Sequence, residues 1–248
     1  MKQLSVNLKK IETLIYLKMK NLTVSCLLLL MSTAVFAQKS KWQKLTDGKT
    51  FTNWHIYNHA GEQVNSKWKI EDGAFVFDPN GKSDYKINDL VSDKAYENFE
   101  LELEWKIEEG GNSGIFYGVF EDPKYGTPYL TSPEIQVLDD QNHPDAKQGK
   151  NGNRRAGSLY DMIPSANVAK PYGEWNKVKI KKQNNEVTVW QNGKLAVKYP
   201  TTGPQWEAMV ADSKFKTWEG FGKYPNGKIG LQDHGNEVAF KNIRIREL

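Results

Sequence analysis

The chain has 248 residues, with 34 Lys and Arg against 30 Asp and Glu. The basic excess belongs to the first 37 residues, because positions 38–248 carry 29 side chains of each sign. A neutral, mixed surface has no electrostatic footprint for nucleic acid or an anionic membrane, so both partner classes drop out. The single cysteine, Cys26, also lies in the first 37 residues, which leaves the remainder without disulfides.

Met19-Lys20-Asn21 precedes an apolar run from Leu22 to Phe36, followed by Ala37-Gln38. Val35 and Ala37 occupy the small-residue positions before a signal-peptidase cut, so residues 1–37 are expected to be a signal peptide cleaved after Ala37. Lysines before Met19 fit an overlong n-region or a start codon assigned too early. The run is shorter than the ~20 residues a membrane-spanning helix needs, so no stable membrane span is expected. Thr23-Val24-Ser25 is a poor lipoprotein box before Cys26. An exported chain without disulfides fits the periplasm or surface of a bacterium. Residues 38–248 are long enough for one all-β domain and show no internal repeat or linker.

In chain order, Leu45 to Trp54 opens the domain with a turn at Asp47-Gly48. Trp68 to Phe77 reads as a hairpin turning at Asp72-Gly73, a pair able to supply the positive φ angles of a tight turn. Phe99 to Ile107 alternates strictly, with Phe99, Leu101, Leu103, Trp105 and Ile107 facing a core. Glu100, Glu102, Glu104 and Lys106 then lie on a solvated face. The Gly110–Gly114 stretch reads as a break before a strand at Ile115–Phe120. Three glycines in five residues suit a tight turn or close backbone approach to a ligand. No Lys-Ser/Thr follows, which excludes a P-loop.

In Pro133 to Asp140, strand alternation puts Ile135, Val137 and Asp139 on one face and Glu134, Gln136 and Leu138 on the other. Glu134 and Gln136, a carboxylate and an amide on one face, could bind or deprotonate a polyhydroxylated ligand. The plainer alternative is a half-buried edge strand with a solvated outer face. Asp140, His143 and Asp145 follow in an oxygen-rich loop. They are weak candidate ligands for a divalent metal, although the spacing lacks the features of a calcium-binding helix-loop-helix.

Ser158–Met162 reads as a short strand and offers Tyr160 as a candidate substrate contact. Trp175–Lys181 and Glu186–Trp190 alternate again, and Asn192-Gly193 is a strong hairpin signal. One helix is expected, from Pro204 to about Thr217, with Trp206, Met209, Val210 and Phe215 at roughly helical spacing. Late in the chain Gln232 and His234 share one face, with Leu231 and Asp233 on the other. Regular short strands with turn signals and one short helix predict an all-β, two-sheet antiparallel jelly-roll sandwich.

Five segments together resemble a known family: Leu45–Trp54, Gly111–Phe116, Glu134–Asp140, Gly173–Asn176 and Gly230–Gly235. The chain is similar to the 3-keto-glycoside lyase/hydratase (3-keto-disaccharide hydrolase) domain, once a bacterial domain of unknown function. The resemblance covers the chain from about residue 41 onward. It implies a concanavalin-like jelly roll, export, and a glycoside or 3-keto-glycoside substrate. The family label spans lyase, hydratase and hydrolase chemistry, and the resemblance assigns no catalytic positions.

A retaining glycosidase needs two carboxylates about 5–5.5 Å apart. Here the same-face neighbour of Glu134 is Gln136, which can be neither nucleophile nor acid. A ketone at C3 lowers the demand, because it acidifies the C2 proton and allows elimination at C1, followed by hydration of the 2-hydroxyglucal. Such a route needs a base, a partner for the enolate oxygen and an acid for the leaving group. Glu134 is the candidate base and His234 a proton carrier. Gln136, Asn112 or a metal could polarise the ketone, and Gln232 joins them as a candidate substrate contact. Two other classes stay open: a lectin-like carbohydrate-binding module and a conventional glycoside hydrolase. A catalytic site predicts a pocket where Glu134, Gln136 and His234 converge; a lectin predicts a shallow aromatic platform.

Overall fold

Among the described residues thirteen strands follow one another in chain order, joined by turns and longer loops. The first five are β1 (Gln43–Lys44), β2 (Trp54–Ile56), β3 (Trp68–Glu71), β4 (Ala74–Phe77) and β5 (Leu90–Tyr96). Next come β6 (Phe99–Ile107), β7 (Asn112–Val119), β8 (Glu134–Leu138) and β9 (Asn176–Gln183). After β10 (Glu186–Gln191) and β11 (Lys194–Pro200) comes the one α-helix among the described residues, α1 (Pro204–Ala211). It closes with β12 (Gly227–Leu231) and β13 (Val238–Glu247). The computed structural model describes residues 40–248, so the expected signal peptide and its cut after Ala37 lie outside the described residues. Lys41–Leu248 forms one compact unit. Among the described residues, no helix is long and apolar enough to cross a membrane.

Every strand pairing is antiparallel, in two sheets. The larger runs β11-β10-β9-β6-β13-β4-β3, with β1 also on β13, and the smaller runs β2-β5-β12-β7-β8. The expected jelly-roll sandwich is what forms. Period-two alternation explains the layering: Leu101, Leu103, Trp105, Ile180 and Phe240 of the large sheet meet Ile115, Tyr117, Ile135, Val137 and Leu231 of the small one in one core.

The charged face of β6 points outward as expected, and its charges are paired across strands. Glu102 binds Arg244, while Glu100 lies between Arg246 and Lys179. Asp72-Gly73 and Asn192-Gly193 both adopt positive φ at the two turn positions, which a tight primed hairpin turn requires.

Three expectations need correction. The strand after the glycine-rich stretch starts at Asn112 rather than Ile115, because Asn112 and Ser113 already pair with Leu138 and Val137 of β8. Ser158–Met162 is not a strand; Leu159 makes only isolated bridges, since Gly157 (φ 81°) and Asp161 (φ 58°) break the extended backbone. The helix stops at Ala211. A 3-10 turn at Lys214–Thr217 follows, its start fixed by Ser213, whose hydroxyl accepts the Phe215 N–H at 3.1 Å.

Candidate active site

β8 lies at the edge of the small sheet, yet every one of its residues is buried. The segment Gly157–Tyr160 closes that edge. Gly157 N–H donates to the Gln136 carbonyl (2.8 Å), Gln136 N–H to the Ser158 carbonyl (3.1 Å) and Tyr160 N–H to the Glu134 carbonyl (3.0 Å). The half-solvated edge strand is therefore not the outcome, because the backbone groups an edge would expose are bonded to this segment.

Ile135 and Val137 point into the core, so Glu134 and Gln136 occupy the opposite face, turned away from the large sheet. There they line a cavity of about 310 Å³. All six residues singled out from the sequence as catalytic or substrate-binding line it together: Glu134, His234, Asn112, Gln136, Tyr160 and Gln232. A second groove, of about 1010 Å³, lies over the large sheet. Of its carboxylates, Glu102 is paired with Arg244, Glu104 lies near Lys177 and Lys241, and Asp47 accepts the Lys49 and Thr50 N–H groups of its own turn.

Room for the Glu134 side chain comes from Gly114, on the neighbouring strand. A Cβ there would come within 2.7 Å of both Cγ and Cδ of Glu134 and still closer to its Oε1. Burial pushes the Glu134 carboxyl up to about 8, a rise opposed by the positive charge of Lys214 and reinforced by the negative charge of Asp145.

Around this carboxyl, three buried amide oxygens have no protein partner: Asn112 Oδ1, Gln136 Oε1 and Gln232 Oε1. An unsatisfied buried acceptor costs about 1–3 kcal/mol. All three residues line the one cavity, so it offers three acceptors open to hydroxyl donors. Gln136 is itself held, its Nε2 donating to the Arg154 carbonyl at 3.4 Å. Gln232 is fixed through its backbone: its N–H reaches the Gly114 carbonyl (2.9 Å) and its carbonyl accepts from Ser113 Oγ (2.8 Å).

Asp233 turns the other way, as alternation predicts, and accepts from Asn88 Nδ2 (3.2 Å). Behind it sits Asp89, a buried carboxyl that accepts the Asp233 N–H (3.2 Å). Burial first, then the charge of Asp233, raises Asp89 well above the usual carboxylate range.

The candidate metal ligands are committed elsewhere. Asp140 accepts the Ala156 N–H (2.8 Å) and His143 Nδ1 accepts the Asp145 N–H (3.1 Å). Asp145 receives Arg154 Nη1 (3.0 Å) on one oxygen and the Tyr160 hydroxyl (2.8 Å) on the other. Among the described residues, no three His, Cys, Asp or Glu side chains are grouped to hold a metal ion. Asp145 instead anchors Tyr160 as a wall of the cavity. His234 sits exposed at the rim, its ring edge-on to that of His143 with centroids 6.4 Å apart.

Four lining residues were not foreseen: Tyr129, Lys214, Phe215 and Trp218. They roof the cavity with an aromatic cluster, Phe215 against Trp218 at 4.9 Å and Trp218 against Tyr129 at 5.6 Å between centroids. Apolar spacing puts Phe215 on a helix, and Pro128–Leu130, a 3-10 turn, carries no periodic signal.

An antiparallel sandwich with a carboxyl and three unpartnered amide oxygens facing one cavity is a jelly-roll protein with a polar pocket. Residues 41–246 match the model of the 3-keto-alpha-glucoside-1,2-lyase-like domain, and the chain belongs to that family. It is 44% identical over 224 residues to a 3-keto-disaccharide hydrolase of Bacteroides thetaiotaomicron, covering 82% of this chain and 77% of the relative. The crystal structure of a candidate glycosyl hydrolase from Parabacteroides distasonis superposes with a TM-score of 0.75 at 33% identity. That match covers 84% of this chain and 94% of the other. A second candidate glycosyl hydrolase of the same organism gives a TM-score of 0.60 at 27% identity, over 84% and 100% of the two chains.

Proposed function

We propose that this chain is a carbohydrate-active enzyme that cleaves 3-keto-glycosides, opening with removal of the C2 proton by Glu134. The observation that carries the reading is a single buried carboxyl, its pKa raised to about 8, among three unpaired amide oxygens. The activity named for the Bacteroides relative supports the same substrate class. No second Asp or Glu lines the cavity among the described residues, which disfavours the two-carboxylate route of ordinary glycosidases. Convergence of Glu134, Gln136 and His234 in one pocket favours an enzyme over a flat lectin platform.

In the proposed sequence the sugar hydroxyls donate to Asn112, Gln136 and Gln232. Ionised Glu134 takes the C2 proton, and the electron pair of the C–H bond moves into the C2–C3 bond as the ketone oxygen becomes an enolate. When that enolate collapses, the C1–O bond breaks and the leaving oxygen takes a proton, for which His234 at the rim is placed. Water then adds to the 2-hydroxyglucal, giving net hydrolysis. Export of the chain through residues 1–37 is part of the proposal, and an N-terminus other than Gln38 on protein recovered from its native host would refute that part.

The test is incubation of the protein with a 3-keto-disaccharide beside its unoxidised parent, followed by NMR. Cleavage of the keto sugar alone is expected. Because the base works only when ionised, kcat/KM should climb as pH rises and level off above about 8, where Glu134 has lost its proton. Equal cleavage of the parent sugar, or of neither, would sink the reading.

A further inference from the structure

The roof of the cavity contains one Lys or Arg, Lys214. Its backbone N–H donates to Asp161 Oδ2 at 3.1 Å, and Asp161 is itself held by Arg154 Nε at 2.7 Å, so the residue is fixed at its root. The side chain crosses the face of Tyr160, with the ammonium 4.1 Å from the ring centroid and 5.5 Å from that of Phe215. Tyr160 is in turn pinned by its hydroxyl to Asp145.

Some lysines of the chain end on carboxylates, as Lys150 does on Asp212, Lys198 on Glu186 and Lys228 on Glu121. Lys214 forms no close ion pair of that kind among the described residues; burial holds its ammonium below the usual lysine range, a shift opposed by Glu134, Asp161 and Asp145 and reinforced by Arg154. A cation held over a cavity beside a buried carboxyl, with no carboxylate in direct contact, is placed for a negative charge that arises only when substrate is present.

We propose that the Lys214 ammonium is the catalytic group that stabilises the enolate oxygen formed when C2 of a 3-keto-glycoside loses its proton. The inference rests on the reading of Glu134 as the base. In the step, the C2 proton passes to the Glu134 carboxylate and the new charge settles on the former ketone oxygen. Lys214 donates a hydrogen bond to that oxygen and keeps its own proton. No covalent bond to the lysine forms. The groups facing it are Glu134 on β8, Tyr160 and Asp161 after the Gly157 turn, Arg154 before it, and Asp145 in the loop after β8.

The experiment compares wild type, Lys214→Met and Lys214→Arg in the full chain. It follows turnover of a 3-keto-disaccharide and exchange of its C2 proton in deuterated water across pH. Lys214→Met should lose about 10²–10³-fold in the high-pH plateau of kcat, the scale of removing one oxyanion donor. Its pH profile should also shift upward, because Glu134 loses a neighbouring charge that favours its ionised form. Lys214→Arg should recover a large part of the plateau, since it retains the charge.

A folded Lys214→Met protein with wild-type plateau and exchange would overturn the proposal, as would a change confined to KM. Borohydride trapping of substrate on Lys214, with Lys214→Arg as inactive as Lys214→Met, would replace it with an imine mechanism. Wild type that leaves the 3-keto sugar untouched would instead remove the functional reading, and the lysine's role with it.

Discussion

Glu134→Gln is expected to cut turnover of a 3-keto-disaccharide by about 10²–10⁴-fold, the usual share of a general base. The amide keeps the shape of the acid and its hydrogen-bonding reach but takes no proton at neutral pH. Substrate affinity should change far less than kcat, and exchange of the C2 proton in deuterated water should fall in parallel. The same variant should be more stable than wild type under alkaline conditions. The folded carboxyl titrates near 8 against an ordinary value of 4.5, so between those limits the folded state binds more protons than the unfolded one. Wild-type stability therefore falls as pH rises through that window and flattens above about 8, while the amide variant escapes the loss. Thermal melts at pH 5 and pH 9 would show it: near-equal midpoints at pH 5 and a higher midpoint for the variant at pH 9. A folded Glu134→Gln protein with normal turnover would move the base elsewhere, with His234 the next candidate.

Gly114→Ala should inactivate without unfolding. Gly114 has no left-handed backbone angle, so alanine fits the strand conformation. The added methyl instead meets the Glu134 side chain, 2.7 Å from Cγ and Cδ in its present position. That side chain is the part free to move, so the cost falls on catalytic geometry. Misplacement by about 1 Å lowers rates on the order of 10²-fold. Circular dichroism and the melting midpoint should stay close to wild type while kcat drops. Retention of full kcat would show that Glu134 acts from a different position than the one seen.

Both predictions concern the floor of the cavity, and the floor was the legible part. Glu134 and Gln136 on one strand, and Gln232 with His234 after another, follow from alternation of side chains along extended backbone. Asn112 was a candidate contact, although its place at the start of β7 was not foreseen. The reason is that Gly114 reads as a breaker in isolation, whereas it sits inside the strand to make room for Glu134. Asp140, His143 and Asp145 suggest a cation by composition alone. In three dimensions His143 caps its own turn, Asp140 holds the distant Ala156 N–H, and Asp145 holds Arg154 and Tyr160. Lys214 and Trp218 were hidden because their position depends on the stop at Asp212-Ser213, and apolar spacing does not register that stop.

The cavity is assembled in two mechanically separate parts. Its floor is woven into a five-stranded sheet, while its roof is two short turns: one after α1, hung from Asp161 and stacked on Phe221, and one at Pro128–Leu130 that carries Tyr129. Changes at Trp218 or Tyr129 leave every ladder bond of the small sheet intact, so the roof is open to diversification at little cost to folding. Relatives with one floor and different roofs would share a reaction and divide among themselves the sugars it is performed on. A library confined to those two positions is accordingly the economical way to redirect this protein toward a new leaving group.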